Sequence, residues 1–400
     1  MPVHASVGYR QRMVAMSPEA ASNSSSDKST SLAASPPTAL TFAVTHAPQP
    51  VPAEQLAERL VAPGFGKVFT DHMVTIRWTA TQGWHDAQVR PYEPIPMDPA
   101  TMVFHYAQAI FEGFKAYAQP DGTVATFRPE ANAHRLNLSA ARLALPALPP
   151  DAFIEAADRL VDIDRAWVPV EREKSLYLRP FMIATEVGLG VRPADDVTFF
   201  VIASPAGAYF PDGLKPVSIW LSEQYTRASP GGTGAAKAAG NYASSLVAQQ
   251  EAYANGCQQV CFLDATEHRW IEELGGMNLV FVYDDGSLVT PELSGSILAG
   301  ITRDSVLTLA DELGYKAVER RIDVAEWKDG IAAGHITEVF ACGTAAAITP
   351  LGRLAWRGGE LEIGTEPGPV ALDIRRALLD IQHGAVPDDH GWMHLVKPVG

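Results

Sequence analysis

Strand-like and helix-like segments follow one another without regular alternation, and this irregular order constrains the fold more than any other feature of the sequence. Residues 197–203, VTFFVIA, form a short run of β-branched and aromatic residues that is typical of a buried strand. Residues 278–291 contain two strand-like runs on either side of Asp285-Gly286. This arrangement predicts a β-hairpin.

Three segments, residues 129–145, 151–167 and 304–313, show the spacing of amphipathic helices. Gly314 follows the third segment at the position where a helix C-cap is expected. A Rossmann sheet or a TIM barrel would require a regular succession of strand and helix. The chain is therefore predicted to have an α+β fold.

A length of 400 residues is enough for two or three domains. Residues 1–45 are rich in serine and poor in large apolar residues, so we expect a disordered N-terminal extension. An upstream start codon and a transit peptide are both open explanations for it. Turn-forming residues at 210–216 separate two strand-rich halves. They predict a small domain over residues 46–210 and a large domain over residues 211–400.

The composition excludes several classes of protein. No apolar run reaches the roughly 18 residues needed to cross a bilayer. The net charge of −15 has the wrong sign for a nucleic-acid or membrane-surface protein. Three cysteines are too few for a disulfide framework, which indicates a reducing compartment, and no metal-ligand spacing occurs. These features predict a cytoplasmic enzyme without a metal, a nucleic-acid partner or a membrane partner.

The most unusual segment is SPGGTGAAKAAGNY at residues 229–242, where Lys237 stands among small residues with no acidic neighbour. In a tight, partly dry pocket, desolvation would lower the pKa of its amine and make it a usable nucleophile. A solvated lysine on a surface loop is the alternative. A P-loop is excluded because Ala236 and Ala238 replace the glycine and the hydroxyl residue of that motif.

Two further segments have features of anion-binding sites. Gly300 precedes a predicted helix and, with Thr302, could offer N–H groups and a hydroxyl to a phosphate, although an ordinary N-cap is the alternative. The turn around Thr344 could also bind an anion, or could reflect tight packing. Glu272 and Glu273 precede the hairpin; a buried carboxylate there would need a cationic or N–H partner, whereas two solvated carboxylates are the alternative.

Together, these segments resemble those of the branched-chain-amino-acid aminotransferases, which are fold-type-IV enzymes that use pyridoxal 5'-phosphate. The resemblance extends from about residue 65 to the C-terminus, and the order of the motifs makes it specific. The motifs are FHYAQAIFEGFKAY at 104–117, FRP at 127–129, Arg135, LYLRP at 176–180, GAYF at 207–210, RASPGGTGAAK at 227–237, ELGGMN at 273–278 and GITR at 300–303.

This resemblance implies two α/β domains with the cofactor in the cleft between them, and a homodimer in which a neighbouring subunit closes the substrate pocket. It implies that Lys237 binds the cofactor as an aldimine, that Glu273 pairs with the pyridine nitrogen and that Tyr242 binds the ring oxygen. The other residues that it assigns to the cofactor are Arg135, Arg227, Ile301, Thr302 and Thr344.

The resemblance also implies a reaction: ping-pong transfer of the amino group from L-leucine, L-isoleucine or L-valine to 2-oxoglutarate, giving the 2-oxo acids and L-glutamate. Arg179 is the expected partner for the side-chain carboxylate of glutamate. The other residues that it assigns to the substrate are Tyr106, Phe111, Tyr177, Tyr209, Thr344 and Ala345.

Two positions depart from the family pattern. Gly276 stands where many relatives have threonine, which removes a hydroxyl near the cofactor. Ala346 and Thr349 replace the two cysteines of the C-x-x-C pair found in some animal members, so that redox switch should be absent. D-amino-acid aminotransferase, aminodeoxychorismate lyase and a non-catalytic phosphate-binding protein are the alternative functions. Tyr177 and Arg179 favour the branched-chain type.

Overall fold

The computed structural model describes residues 40–207 and 214–398, and these residues form two nine-stranded sheets with helices packed against them. Both sheets mix parallel and antiparallel pairs. None of the helices in the described ranges is both long enough and apolar enough to span a bilayer.

The first sheet contains eight strands from the N-terminal half and one from the C-terminal end of the chain. They are β1 (Phe42–Val44), β2 (His72–Thr79), β3 (Gly83–Pro91), β4 (Ala109–Phe111), β5 (Phe114–Ala118), β6 (Val124–Phe127), β7 (Ser175–Ala184), β8 (Asp196–Ala206) and β18 (Met393–Leu395). Their order is β1-β3-β2-β8-β7-β5-β6-β18, with β4 paired to β7. The helices of this half are α1 (Ala53–Val61), α2 (Met102–Tyr106), α3 (Pro129–Arg142) and α4 (Pro150–Ile163), followed by a 3-10 turn at Arg165–Trp167.

The second sheet is built from the C-terminal half. Its strands are β9 (Val217–Ser222), β10 (Gln259–Leu263), β11 (Ile271–Leu274), β12 (Asn278–Tyr283), β13 (Ser287–Thr290), β14 (Lys316–Glu319), β15 (Ile336–Gly343), β16 (Ala347–Trp356) and β17 (Gly359–Glu362). Their order is β11-β10-β9-β16-β15-β12-β13-β14, with β17 paired to β16. The helices of this half are α5 (Ala239–Ser244), α6 (Leu246–Ala254), α7 (Ile301–Glu312), α8 (Val324–Ala333) and α9 (Pro369–Gln382).

The two halves share a hydrophobic cluster in addition to the core of each sheet. Tyr117 and Phe127 of the first sheet pack in this cluster with Val280 and Phe340 of the second and with Leu378 of α9. Burying side chains of this size stabilises a fold by about 1.5–3 kcal/mol each. The halves are therefore held against each other by apolar packing, and the candidate site lies where they meet.

The predicted elements are present, with boundaries shifted by a few residues. The run at 197–203 lies within β8, and residues 278–291 form the hairpin of β12 and β13, in which Phe281 pairs with Val289. The helix predicted from residue 304 begins three residues earlier, at Ile301. The segments at 129–145 and 151–167 form α3 and α4 with the following 3-10 turn.

The N-terminal extension predicted over residues 1–45 reaches too far into the chain. Phe42–Val44 forms a parallel pair with β3, and the Phe42 side chain is buried beneath the guanidinium of Arg159. Backbone pairing and one buried aromatic side chain are enough to order this short segment, although its composition did not predict a strand. Residues 1–39 lie outside the described part of the chain, as does the 208–213 portion of the predicted boundary.

The C-terminus returns to the first sheet. Strand β18 pairs antiparallel with β6, so that Met393 lies opposite Phe127, and Trp392 packs edge-on against the Phe127 ring. The sheet formed by the N-terminal half is thus completed by residues close to the C-terminal end of the chain.

Candidate active site

Lys237 lies at the junction of the two halves and is half buried. Its Nζ atom donates a hydrogen bond to the Tyr242 hydroxyl at 3.0 Å and lies 4.9 Å from the centre of the Phe111 ring. Its backbone N–H donates to Ser139 Oγ, and its carbonyl accepts from the Phe111 N–H. The lysine is therefore held by both halves of the molecule, which rules out the alternative of a solvated surface loop.

The glycine-rich segment before Lys237 follows a path that requires a small residue. A Cβ atom on Gly234 would lie 2.1 Å from the Ser296 carbonyl oxygen, so any side chain would force the segments apart. The Asn241 side-chain amide donates to the carbonyls of Thr233 and Ala236, which closes the segment on itself. These contacts fix the backbone that carries the lysine.

Glu273 is a buried carboxylate with a cationic partner. Its Oε1 atom lies 2.8 Å from a guanidinium nitrogen of Arg227 and accepts a hydrogen bond from the Leu298 N–H, also at 2.8 Å. Burial raises the pKa of Glu273 to about 7, while Arg227 and the Leu298 N–H act in the opposite direction. Glu272, on the other side of β11, is also buried and accepts a hydrogen bond from the Ser296 hydroxyl. The alternative of two solvated carboxylates is therefore wrong.

The start of α7 presents backbone N–H groups next to a glycine that is closely approached by a polar side chain. Gly300 is extended and precedes the helix, and a Cβ atom there would lie 2.0 Å from Asn278 Oδ1. Asn278 in turn donates to the Leu298 carbonyl and holds the approach to the helix. Ile301, Thr302 and, from the turn after β15, Thr344 line one small cavity. Free N–H groups at a helix start and nearby hydroxyls are the kinds of donor that an anion requires.

Arg135 lies beside this helix start and is itself neutralised. It forms two hydrogen bonds with Glu112, at 2.8 and 2.7 Å, and donates a third to the Ala299 carbonyl at 3.0 Å. Both side chains of the ion pair are buried. Arg135 thus reaches the residue next to Gly300, and its contact with a phosphate stays a prediction.

Aromatic residues and one arginine form the adjoining wall. Arg179 donates to the Tyr177 hydroxyl at 3.1 Å, and its guanidinium lies 4.6 Å from the centre of the Phe111 ring. The Tyr177 ring packs against Phe65, at 5.0 Å between ring centres. A Cβ atom on Gly113 would lie 2.0 Å from the Tyr177 hydroxyl oxygen, so the glycine makes room for the tyrosine.

Arg179 has no carboxylate partner within residues 40–207 and 214–398, and its buried Nε–H donates no hydrogen bond there. An arginine with a purely structural role would normally be paired when it is partly buried. Its guanidinium beside an aromatic wall is therefore available to an anionic ligand.

One of the residues assigned to the substrate, Tyr106, makes its described contacts outside this cluster. Tyr106 lies on α2, is partly exposed, and donates from its hydroxyl to the Leu189 carbonyl. Its ring lies beside that of His105, at 6.1 Å between ring centres. Tyr209 falls in the 208–213 gap of the described chain.

Ala345, in contrast, stands next to Thr344 in the turn between β15 and β16. Its carbonyl accepts a hydrogen bond from the Lys115 amine at 2.8 Å. The turn that carries both residues therefore lies at the junction of the two halves, as its assignment to the site requires.

Residues 109–354 match the family described as amino-transferase class IV. The chain belongs to this family. The probable branched-chain-amino-acid aminotransferase of Streptomyces coelicolor is 61% identical over 347 residues, covering 86% of this chain and 96% of that protein. The branched-chain-amino-acid aminotransferase of Mycobacterium tuberculosis is 55% identical over 359 residues, covering 88% and 98%.

Solved structures of the family have the same fold as this class IV aminotransferase. The Escherichia coli branched-chain amino acid aminotransferase has a TM-score of 0.65 at 30% identity, covering 82% of this chain and 99% of that one. The Thermobaculum terrenum enzyme in its PLP form has a TM-score of 0.66 at 26% identity, covering 80% and 98%. The α+β architecture of fold type IV is thus confirmed.

Sequence reasoning missed three residues that the structure places in or beside the site of this aminotransferase. Glu112 pairs with Arg135, Lys115 binds the Ala345 carbonyl, and Phe65 packs on Tyr177. Glu112 and Lys115 lie inside the motif at 104–117, so charged residues in a largely apolar segment were a usable signal. No sequence signal pointed to Phe65, because its contact with Tyr177 joins residues more than 100 positions apart.

Proposed function

We propose that this aminotransferase transfers the amino group of L-leucine, L-isoleucine or L-valine to 2-oxoglutarate, with pyridoxal 5'-phosphate as its cofactor. The observation that carries the proposal is the lysine amine held 3.0 Å from the Tyr242 hydroxyl at the junction of the two halves. Relatives that share 55–61% of their residues with this chain carry the branched-chain name. Similar enzymes have been solved with pyridoxamine 5'-phosphate and with N-(5'-phosphopyridoxyl)-L-glutamate.

The donor set of the site fits this cofactor. Lys237 supplies a primary amine, and Tyr242 supplies a hydroxyl next to it. Glu273 supplies a buried carboxylate that can pair with a protonated ring nitrogen. Because the carboxylate is desolvated, a cation bound beside it would stabilise its charged form. The N–H groups at Ile301 and Thr302 suit a phosphate, as do the further donors assigned to it, Arg135 and Thr344.

When bound, pyridoxal phosphate supplies an electron sink for the charge that develops at the substrate α-carbon. The protein supplies the proton transfer. The Lys237 amine takes the proton from the α-carbon and later returns one, as a general base and then a general acid. The Tyr242 hydroxyl orients this amine, and Arg227 keeps the Glu273 carboxylate in place.

The same pocket must accept an aliphatic and an acidic side chain in turn. Phe111, Tyr177 and Phe65 offer an apolar wall to the branched side chain of leucine, isoleucine or valine. Arg179 stands at that wall without a carboxylate partner among the described residues and would pair with the second carboxylate of glutamate or 2-oxoglutarate. Because one pocket serves both substrates in sequence, the kinetics should be ping-pong.

We further propose that the enzyme is a cytoplasmic homodimer that serves amino-acid biosynthesis. An exposed apolar ridge supports the dimer: Phe104, Val187, Leu189 and Val191 are 60%, 58%, 65% and 85% exposed. Contiguous exposed apolar residues commonly mark a protein interface. Tyr106 lies beside Leu189 on this ridge, so its assigned role at a substrate pocket would be fulfilled in the neighbouring subunit.

A donor panel with 2-oxoglutarate tests the proposed reaction. We expect turnover with leucine, isoleucine and valine, and little turnover with D-alanine or aromatic L-amino acids. A visible absorption band that borohydride abolishes in the wild type, and that a Lys237→Ala variant lacks, tests the cofactor separately. Preference for D-alanine would instead identify a D-amino-acid aminotransferase, and a missing band would favour a non-catalytic phosphate-binding protein.

A further inference from the structure

Lys115 connects the two halves of the molecule at the candidate site. It lies on β5 directly opposite Tyr177 of β7, so the two side chains lie on the same face of the first sheet. Its Nζ atom crosses to the second half and donates to the Ala345 carbonyl at 2.8 Å. That carbonyl belongs to the turn between β15 and β16, which also carries Thr344.

The ammonium of Lys115, like the Arg179 guanidinium, has no carboxylate partner within residues 40–207 and 214–398, whereas four buried arginines do. The buried arginine pairs are Arg128–Asp304, Arg135–Glu112, Arg227–Glu273 and Arg303–Glu319. Burial, aided by Arg375, lowers the pKa of Lys115 to about 8. Burying a cation without a counter-ion costs free energy. A side chain that served only as a structural hydrogen-bond donor would cost less if it were neutral.

Lys115 lines the same small cavity as Thr302 and Thr344, two of the residues of the candidate anion site. A hydrogen bond from Nζ fixes the peptide between Ala345 and Ala346, because the carbonyl and the following N–H belong to one rigid unit. The orientation of the turn therefore depends on a side chain from the other half of the molecule.

We propose that Lys115 is a positioning residue that holds the turn at residues 344–345, which the resemblance assigns to the substrate, in its binding orientation. This inference rests on the proposed function, because the turn is assigned to substrate by that function. The same pocket receives the amino acid and the 2-oxo acid in turn. Loss of Lys115 should therefore weaken both substrates equally, in contrast to loss of Arg179, which should weaken only the acidic pair.

The test compares Lys115→Met with Lys115→Arg in the enzyme loaded with cofactor. The methionine variant should raise KM about 10-fold for leucine and for 2-oxoglutarate alike, because a hydrogen bond from a charged donor is lost. Its kcat should change by less than about 3-fold, since the proton-transferring lysine is untouched. The arginine variant keeps a cationic donor and should recover most of the affinity. Lys328→Met is the matched control, because Lys328 lies over Trp356 and contacts no site residue among those described.

Amide hydrogen exchange of the segment at residues 343–347 gives a readout that is independent of turnover. We expect exchange to accelerate about 10-fold in Lys115→Met and to stay unchanged in Lys328→Met. Unchanged KM and unchanged exchange in a folded Lys115→Met enzyme would overturn the proposal. The proposal would also be overturned if Lys115→Met changed KM and kcat by equal factors and Lys115→Arg restored neither. If the wild type shows no transamination, the proposed function fails, while the exchange comparison still decides whether Lys115 holds the turn.

Discussion

Replacing Arg179 with methionine should separate the two half-reactions of this enzyme. The guanidinium donates to the Tyr177 hydroxyl, lies 4.6 Å from the centre of the Phe111 ring, and has no carboxylate partner among the described residues. Methionine fills a similar length of space with an apolar chain and removes the charge. The apolar wall that receives leucine therefore remains, whereas an acidic substrate loses its counter-ion.

The magnitude follows from the contacts that are lost. A hydrogen bond to a charged group contributes about 1.5–3 kcal/mol, which corresponds to a loss of roughly 10- to 150-fold for glutamate and 2-oxoglutarate. Loss of the contact with the Phe111 ring removes a further ~0.5–1 kcal/mol from the wall itself. That second loss affects both substrates, so the leucine half-reaction should slow by less than about 5-fold.

Single-turnover absorbance measurements of each half-reaction provide the assay, since each conversion changes the absorption of the bound cofactor. Arg376→Met is a suitable control, because Arg376 is exposed on α9 and pairs with Asp373 on the same helix. An equal loss for leucine and 2-oxoglutarate would refute the reasoning. A collapse in melting temperature would also refute it, because it would show that Arg179 has a structural partner.

Three further substitutions test other parts of the site. Lys237→Ala should keep the fold but lose the visible band and at least ~10³-fold in turnover; near-normal turnover would exclude Lys237 as the reacting amine. Glu273→Gln should still bind the cofactor but slow proton transfer by roughly 100-fold in stopped-flow assays, because an amide cannot stabilise the ring cation. An unchanged rate would mean that Glu273 does not face the ring nitrogen. Gly113→Ala should displace the Tyr177 hydroxyl, cost about 1–3 kcal/mol in stability, and raise KM for leucine; a wild-type melting temperature and KM would contradict the packing inferred there.

Local chemistry was sufficient for many elements of this fold. The hairpin of β12 and β13 was recognisable because Asp285-Gly286 supplies the turn and its flanks supply the strand residues. Helix α7 was recognisable from its spacing and from Gly314, which takes a positive φ of 85° just after the helix. Its true start at Ile301 was missed because the N-cap, Gly300, has no capping side chain.

The sequence by itself determined the α+β class, the family and the types of functional group at the site, because these depend on neighbouring residues and on the order of motifs. Only the tertiary structure decided which groups meet. It joined β18 to β6, paired Glu112 with Arg135, and carried the Lys115 amine to the Ala345 carbonyl 230 positions away. It also placed Tyr106 on an exposed ridge, with its hydroxyl bonded to the Leu189 carbonyl. Such contacts depend on how two sheets pack, and no local pattern encodes the distance between residues that lie far apart in the chain.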